Sequence, residues 1–368
     1  MISKSAEEAA YGVTEKFNRL LAEQDAALKG GGVDKDFVVP SDIWEPIQYY
    51  SYCLQPTAEL FRTWRFHHFP FTGNYMGTAI GTRENPIPYK QLVRYFKLTA
   101  GLPDWCIIRP PEECGELGWR VNGGMVNLDV LSTQFYLSTL YHQGILSRLR
   151  EQKNPTILEI GGGHGPLAWA LKQVVPNATI VLTDLTMSLF FAAVYLTLVD
   201  HQNAGPETVY DGIKNMSGHT GKYGFVPNFL LNKVTDMQFD LVTVCGAFSE
   251  MSTYQVKWYR DFLAAHVAPQ GIIYGANGEG LNPVTNIMAE VFHGDILDRT
   301  QRVWVKDESV FSELNKIKKQ LPPKPGRFAI AKKVFGFKHA ADERRALLRD
   351  WRGIVRAASA WYDLFFVK

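Results

Sequence analysis

Hydrophobic positions change their period several times along the chain, and each change marks a new element. Residues 5–28 carry apolar positions at helical spacing between charges, which predicts an amphipathic helix. Gly30, Gly31 and Gly32 close it and predict a joint. Residues 33–120 lose this periodicity. Aromatics, Pro and Gly crowd WEPIQYYSYCL and FRTWRFHHFPFTGNYMG, predicting an irregular packed region with two or three helices. Residues 127–149 regain helical spacing as a helix pair broken at Gly144. Short apolar runs then alternate with helical stretches. Strands are predicted at 156–160, 180–182, near 229–231, at 239–245 and at 271–275. Helices are predicted at 166–175, 188–198 and 254–266. Residues 202–227 read as a polar, Gly-containing loop. The run FDLVTVC is apolar almost throughout, as a central parallel strand covered on both faces requires. Residues 302–305 and 328–335 are expected to pair as a closing antiparallel hairpin. Residues 339–363 are expected to form a helix with basic and apolar faces. The alternation predicts an α/β fold with a doubly wound, mainly parallel sheet over 121–368. Residues 1–120 then form a mostly helical region that covers the substrate or joins subunits.

The candidate chemistry concentrates in TILEIGGGHGPLAWALKQVVPNATIVLTD, residues 156–184. Gly161, Gly162, Gly163 and Gly165 follow the strand at once, where the backbone must turn tightly and let a ligand approach. Pro166 suits a first helical turn. The N–H groups of that helix start point at the turn and favour negative ligand groups. Asp184 ends the next strand about 20 residues on, where an acid can bind both hydroxyls of a ribose. Two registers compete. Gly163-x-Gly165-x-x-Ala168 matches a dinucleotide fingerprint but starts two residues after the strand ends. The register that starts at the strand end meets Pro166 where a third small residue is needed.

The pattern Glu159-x-Gly161-x-Gly163-x-Gly165 resembles the first motif of the class I S-adenosylmethionine (SAM) methyltransferases. That resemblance implies a Rossmann-like seven-stranded sheet with SAM as cofactor. It places Glu159 near the methionine portion and Asp184 on the ribose. A nicotinamide cofactor and a bare α/β scaffold stand as alternatives. Ligands of open parallel sheets sit beyond the carboxyl ends of the strands. The cofactor-facing candidates are therefore Glu159, Gly161, Gly162, Gly163, Gly165, Asp184, Leu185, Asn232 and Gly246.

LEIGGGHGPLA, the TDL after the second strand, FDLVTVCGAFSEMS, IIYGAN and the lead-in VNGGMVNLDVLSTQFYLSTLY resemble the bacterial sugar O-methyltransferase group across roughly residues 120–280. His164 stands where that group commonly has an aromatic, and Pro166 replaces a small residue. The loop 202–227 and the N-terminal third have no counterpart. The resemblance implies methyl transfer to a hydroxyl of a sugar, or of a polyhydroxylated or glycosylated small molecule, in natural product biosynthesis. Transfer to nitrogen or carbon of a natural-product or peptide acceptor is the alternative, since aromatic walls suit flat acceptors.

A hydroxyl acceptor must lose a proton, which calls for a base tuned toward neutrality. Glu250 in FSEM is the first candidate and His164 the second; His142, Asp129 and Asp211 follow. Glu250 also reads as a helix cap or ion-pair partner, and His164 as a residue that shapes the turn. Gln134, Tyr136, Tyr254 and Asn277 are the candidate acceptor contacts. The His67-His68 pair reads as packed surface or as cleft wall. No His/Asp/Glu trio has metal-ligand spacing.

Composition adds limits. The 368 residues are 46% hydrophobic and 21% charged, with formal net charge +2. This makes no case for a nucleic-acid or acidic membrane partner and leaves a small-molecule acceptor. No apolar run spans a bilayer. The polar, acidic start predicts no cleaved leader, so a cytoplasmic enzyme with four reduced thiols is expected, paired as a homodimer if the N-terminal helix joins subunits.

Overall fold

The computed structural model describes residues 2–39, 44–67, 87–212, 216–276 and 283–336. The long helix α1 (Lys4–Gly30) begins where Ser3 accepts a hydrogen bond from the Ala6 N–H and ends at Gly31, whose φ of 70° is left-handed. Its apolar face, with Val13, Phe17 and Leu20, is buried. The strands β1 (Trp119–Val121) and β2 (Gly124–Val126) form a small hairpin. It leads into α2 (Leu128–His142), and Gly144 at φ 80° turns the chain into the next helix.

The main sheet follows: β3 (Thr156–Ile160), helix α3 (Pro166–Val174), β4 (Thr179–Asp184), helix α4 (Thr186–Val199), β5 (Tyr223–Pro227), β6 (Phe239–Cys245), helix α5 (Thr253–His266), β7 (Val267–Ala276), β8 (His293–Ile296) and β9 (Gln301–Val305). Spatial order is β5-β4-β3-β6-β7-β9-β8. β3 to β7 run parallel, and β9 runs antiparallel to both of its neighbours. Strand order reverses between β3 and β6, which makes their carboxyl ends a topological switch point. Ile160 pairs with Thr183 on one side and Val244 on the other, so three strands end level there. α4 is buried along nearly its whole length. It receives α1 through Phe17 on Phe190, with ring centroids 5.7 Å apart. Trp64, also buried, donates from Nε1 to the Phe191 carbonyl at 3.2 Å.

Two expected strands are corrected. The third strand is Tyr223–Pro227, inside the stretch read as a loop, while 229–231 belongs to a 3-10 turn, Asn228–Lys233. Gly224 and Pro227 look like turn residues, but β5 lies at the sheet edge, where a terminal Pro costs no needed ladder bond. Residues 328–335 lie in the helix Arg327–Gly336. The partner of β9 is β8, reached through a turn in which Asp298 Oδ1 accepts from the Thr300 and Gln301 amides. Residues 339–363 and Asn277 lie outside the described residues. Among the described residues no helix is long and apolar enough to cross a membrane.

Candidate active site

The glycine turn is shaped by its neighbours. A Cβ on Gly161, at φ 72°, would stand 2.3 Å from the Ala247 side chain, so the loop after β6 lies directly against it. A Cβ on Gly162 would meet the Leu182 side chain at 3.0 Å and the Glu159 carboxyl at 3.4 Å. Gly163, at φ 55°, would meet nothing within 4 Å and opens onto a cavity of about 270 Å³. Gly165 serves packing: its Cβ would press on Leu196 of α4, and it does not line the cavity.

Two carboxylates flank the turn. Asp184 accepts from the Gly163 amide through Oδ2 (3.0 Å) and from the Leu185 amide through Oδ1 (2.7 Å). Burial raises its pKa to about 7 against the opposing pull of those two bonds, and the nearby Glu250 adds to the rise. Glu159 is buried, and its Oε2 has no hydrogen-bond partner in the protein. Burial and then the Asp184 charge raise its pKa to about 8, while the Ala168 amide bonds the carboxyl and opposes this.

His164 lies behind the open glycine, with Nε2 3.4 Å from Asp129 Oδ2. Asp129 Oδ2 accepts from Arg65 Nη2 at 2.9 Å. Arg65 Nε donates to Glu116 Oε2 at 2.7 Å, and the guanidinium sits over the Tyr195 ring at 5.2 Å. Arg65, Glu116, Asp129 and His164 are all buried. Burial raises the pKa of both acids against the Arg65 charge. Across the cavity, Glu250 accepts from Trp44 Nε1 at 2.9 Å, and burial raises its pKa.

Glu159, Gly161, Gly162, Gly163, His164, Asp184, Leu185, Gly246, Tyr136 and Glu250 thus line one cavity. Other expected residues do not. Asn232 is exposed on the 3-10 turn, because the true strand ends four residues before it was expected to; Asn228 lines the cavity instead. Tyr254 is half exposed and its hydroxyl donates to Asp34, while Gln255, one helical step on, faces inward. Gln134 is buried outside the cavity. Its Oε1 accepts from the Ile108 amide (3.0 Å) and its Nε2 donates to the Cys106 carbonyl (2.8 Å). His142 lies elsewhere, held to about 4 by burial and then by Lys324. Asp211 sits 4.0 Å from Lys16. His67 bonds the Tyr52 hydroxyl at 2.9 Å, and His68 lies outside the described residues. Among the described residues no group of three His, Cys, Asp or Glu is arranged to hold a metal ion.

Phe37 and Trp44, from the N-terminal region, also line the cavity. Their segment is pinned from the core. Gln255 Nε2 donates to the Phe37 carbonyl (2.9 Å), Asn228 Nδ2 donates to the Val38 carbonyl (3.4 Å), and Phe37 stacks on Trp258 with centroids 3.8 Å apart. Nothing in the local sequence marks these two aromatics. By contrast Asp129, Ser132, Thr133 and Tyr136 line the cavity from one face of α2, at a spacing of three and four that is readable in the sequence.

No family model matches the chain, and no curated protein matches it. Similar solved structures include a TehB-like SAM-dependent methyltransferase from Corynebacterium glutamicum (12% identity, 45% of this chain, 88% of that one, TM-score 0.31). The N-methyltransferase NodS from Bradyrhizobium japonicum, in complex with S-adenosyl-L-homocysteine, is 15% identical over 45% of this chain and 85% of its own (TM-score 0.30). A methyltransferase from Pyrococcus furiosus is 13% identical over 46% and 84% (TM-score 0.30).

Proposed function

We propose that this chain is a SAM-dependent O-methyltransferase acting on a hydroxyl of a sugar, or of a polyhydroxylated or glycosylated small molecule. The observation that carries the cofactor is Asp184. Its carboxylate is held by two backbone amides at the end of β4, beside a glycine whose missing side chain leaves the cavity open. Each carboxylate oxygen keeps acceptor capacity for one hydroxyl of a ribose. Glu159 Oε2, buried without a partner, suits an ammonium, and Asn228 and Gln255 add amide groups to the wall. SAM, when bound, supplies a sulfonium methyl already activated for in-line displacement, so the protein chiefly aligns and dries the site.

Glu250 is the proton acceptor in this reading. It borders the same cavity, Trp44 fixes one of its oxygens, and burial moves it toward neutrality, as a base for a hydroxyl requires. His164 lies beside Asp129 in the same wall, Nε2 3.4 Å from Oδ2. The N-terminal region, through Phe37 and Trp44, covers the site. Calorimetry with S-adenosylhomocysteine tests the cofactor. No heat from the wild type, together with unchanged behaviour of Gly163→Val, would end the proposal. Mass spectrometry of product carrying an isotopic methyl label distinguishes a base-stable ether from a methylated amine or carbon. Glu250→Gln is expected to retain the cofactor and lose about 100-fold or more in transfer rate.

A further inference from the structure

We infer that the methyl acceptor enters without a phosphate or carboxylate group, as an uncharged glycoside or polyol rather than as a sugar phosphate or nucleotide-linked sugar. The inference rests on the cofactor assignment above and on the charge of the cavity wall. Asp129, Glu159, Asp184 and Glu250 all line the cavity, and no Lys or Arg lines it among the described residues. The guanidinium bonded to this wall, Arg65, sits behind Asp129, with Nε on Glu116 and Nη2 on Asp129. The start of α3 would be the other natural anion site. There the Ala168 amide is already bonded to the Glu159 carboxyl.

The cofactor end of the cavity has its own demand. Glu159 Oε2 is buried with no partner, so whatever fills the cavity has to bring a donor or a cation to it. Once the cofactor occupies Glu159 and Asp184, the polar wall left for the acceptor is Asp129, His164 and Glu250 with the hydroxyls of Ser132, Thr133 and Tyr136, the Asn228 and Gln255 amides being spent on the Val38 and Phe37 carbonyls. Carboxylates and hydroxyls recognise the O–H groups of a neutral polyol. A phosphate there meets like charges with no fork of donors to hold it. The expected penalty is a binding constant at least about a hundredfold weaker than for the neutral counterpart. The same chemistry orders the reaction sequence. If the acceptor is a glycoside, a glycosyl transfer has already released its nucleotide before methylation takes place.

The test has two arms on the full-length protein. In the first, the purified chain is incubated with methyl-labelled SAM and a small-molecule extract of its native cells, and the product is passed over an anion exchanger. The expected result is label in the flow-through, unchanged by phosphatase. Label retained on the exchanger, whether or not phosphatase releases it, would overturn the inference. In the second arm, uridine diphosphate glucose and glucose 6-phosphate are titrated into the apo and the S-adenosylhomocysteine-loaded protein. Kd values weaker than about 10 mM are expected, and a Kd below about 1 mM for either overturns the inference. Absence of S-adenosylhomocysteine binding defeats the cofactor assignment alone, because the anion titration of the apo protein still reads the wall directly.

Discussion

Replacing Glu159 by Gln should move stability and cofactor affinity in opposite directions, and the structure sets both signs. The side chain is buried, its Oε2 has no partner, and its pKa stands at about 8 against an ordinary 4.5. A carboxyl whose folded pKa is raised holds its proton in the folded state while the unfolded chain releases it. Stability conferred by the protonated form is therefore full below pH 4.5 and is lost as pH climbs toward 8. At 1.36 kcal/mol per pH unit, the ionised wild type forgoes at most about 5 kcal/mol by pH 9. The carboxamide of Glu159→Gln has the same shape and never ionises. Urea unfolding of the apo protein should show the variant close to wild type at pH 5 and more stable by about 2–4 kcal/mol at pH 9, since relaxation and water entry reduce the bound. Cofactor affinity should fall by about 10- to 100-fold, the worth of one hydrogen bond to a charged group. The reasoning fails if the variant is destabilised equally at both pH values, or if it binds S-adenosylhomocysteine as tightly as the wild type does.

Four further outcomes are expected. Asp184→Asn puts an amide hydrogen toward one of two backbone donors and should weaken S-adenosylhomocysteine binding at least about 100-fold by calorimetry. In the wild type the same affinity should decline as pH falls below 8 and more steeply below 7, because the ammonium needs ionised Glu159 and the diol ionised Asp184. Gln134→Ala strands the Ile108 amide and the Cys106 carbonyl in the interior, so denaturant unfolding should show a loss of about 2–5 kcal/mol with cofactor affinity unchanged. Gly161→Ala forces a Cβ against Ala247 at a left-handed position. It should lower Tm, and a second change, Ala247→Gly, should recover part of the loss.

What could be read from the sequence is what the backbone itself demands. Continuous apolar runs mark β3, β4 and β6 because both faces of the sheet are covered. The glycines of the turn are visible because Gly161 and Gly163 need positive φ. Asp184 follows, since its place is counted from the strand end. Errors began where the structure depends on something farther away. Tyr223–Pro227 is a strand because β4 offers it a sheet edge, and no local period separates it from the buried 3-10 turn after it. That single slip moved the post-strand residue from Asn228 to Asn232. Tyr254 and Gln255 differ by one helical step of about 100°, and the Ser252–Gln255 capping box that fixes which of them faces inward was present in the sequence as S-x-x-Q. Phe37 and Trp44 had no such signal. They reach the cavity because core side chains bond the backbone of their segment, and backbone acceptors leave no mark on residue type. The cofactor half of the site is thus encoded by local conformation, whereas its outer wall is encoded by contacts more than 150 residues apart along the chain, such as Trp44 with Glu250. In the proposed reading Phe37 and Trp44 share the acceptor wall with α2, so substitutions at these two aromatics should change the acceptor while the glycine turn keeps its cofactor.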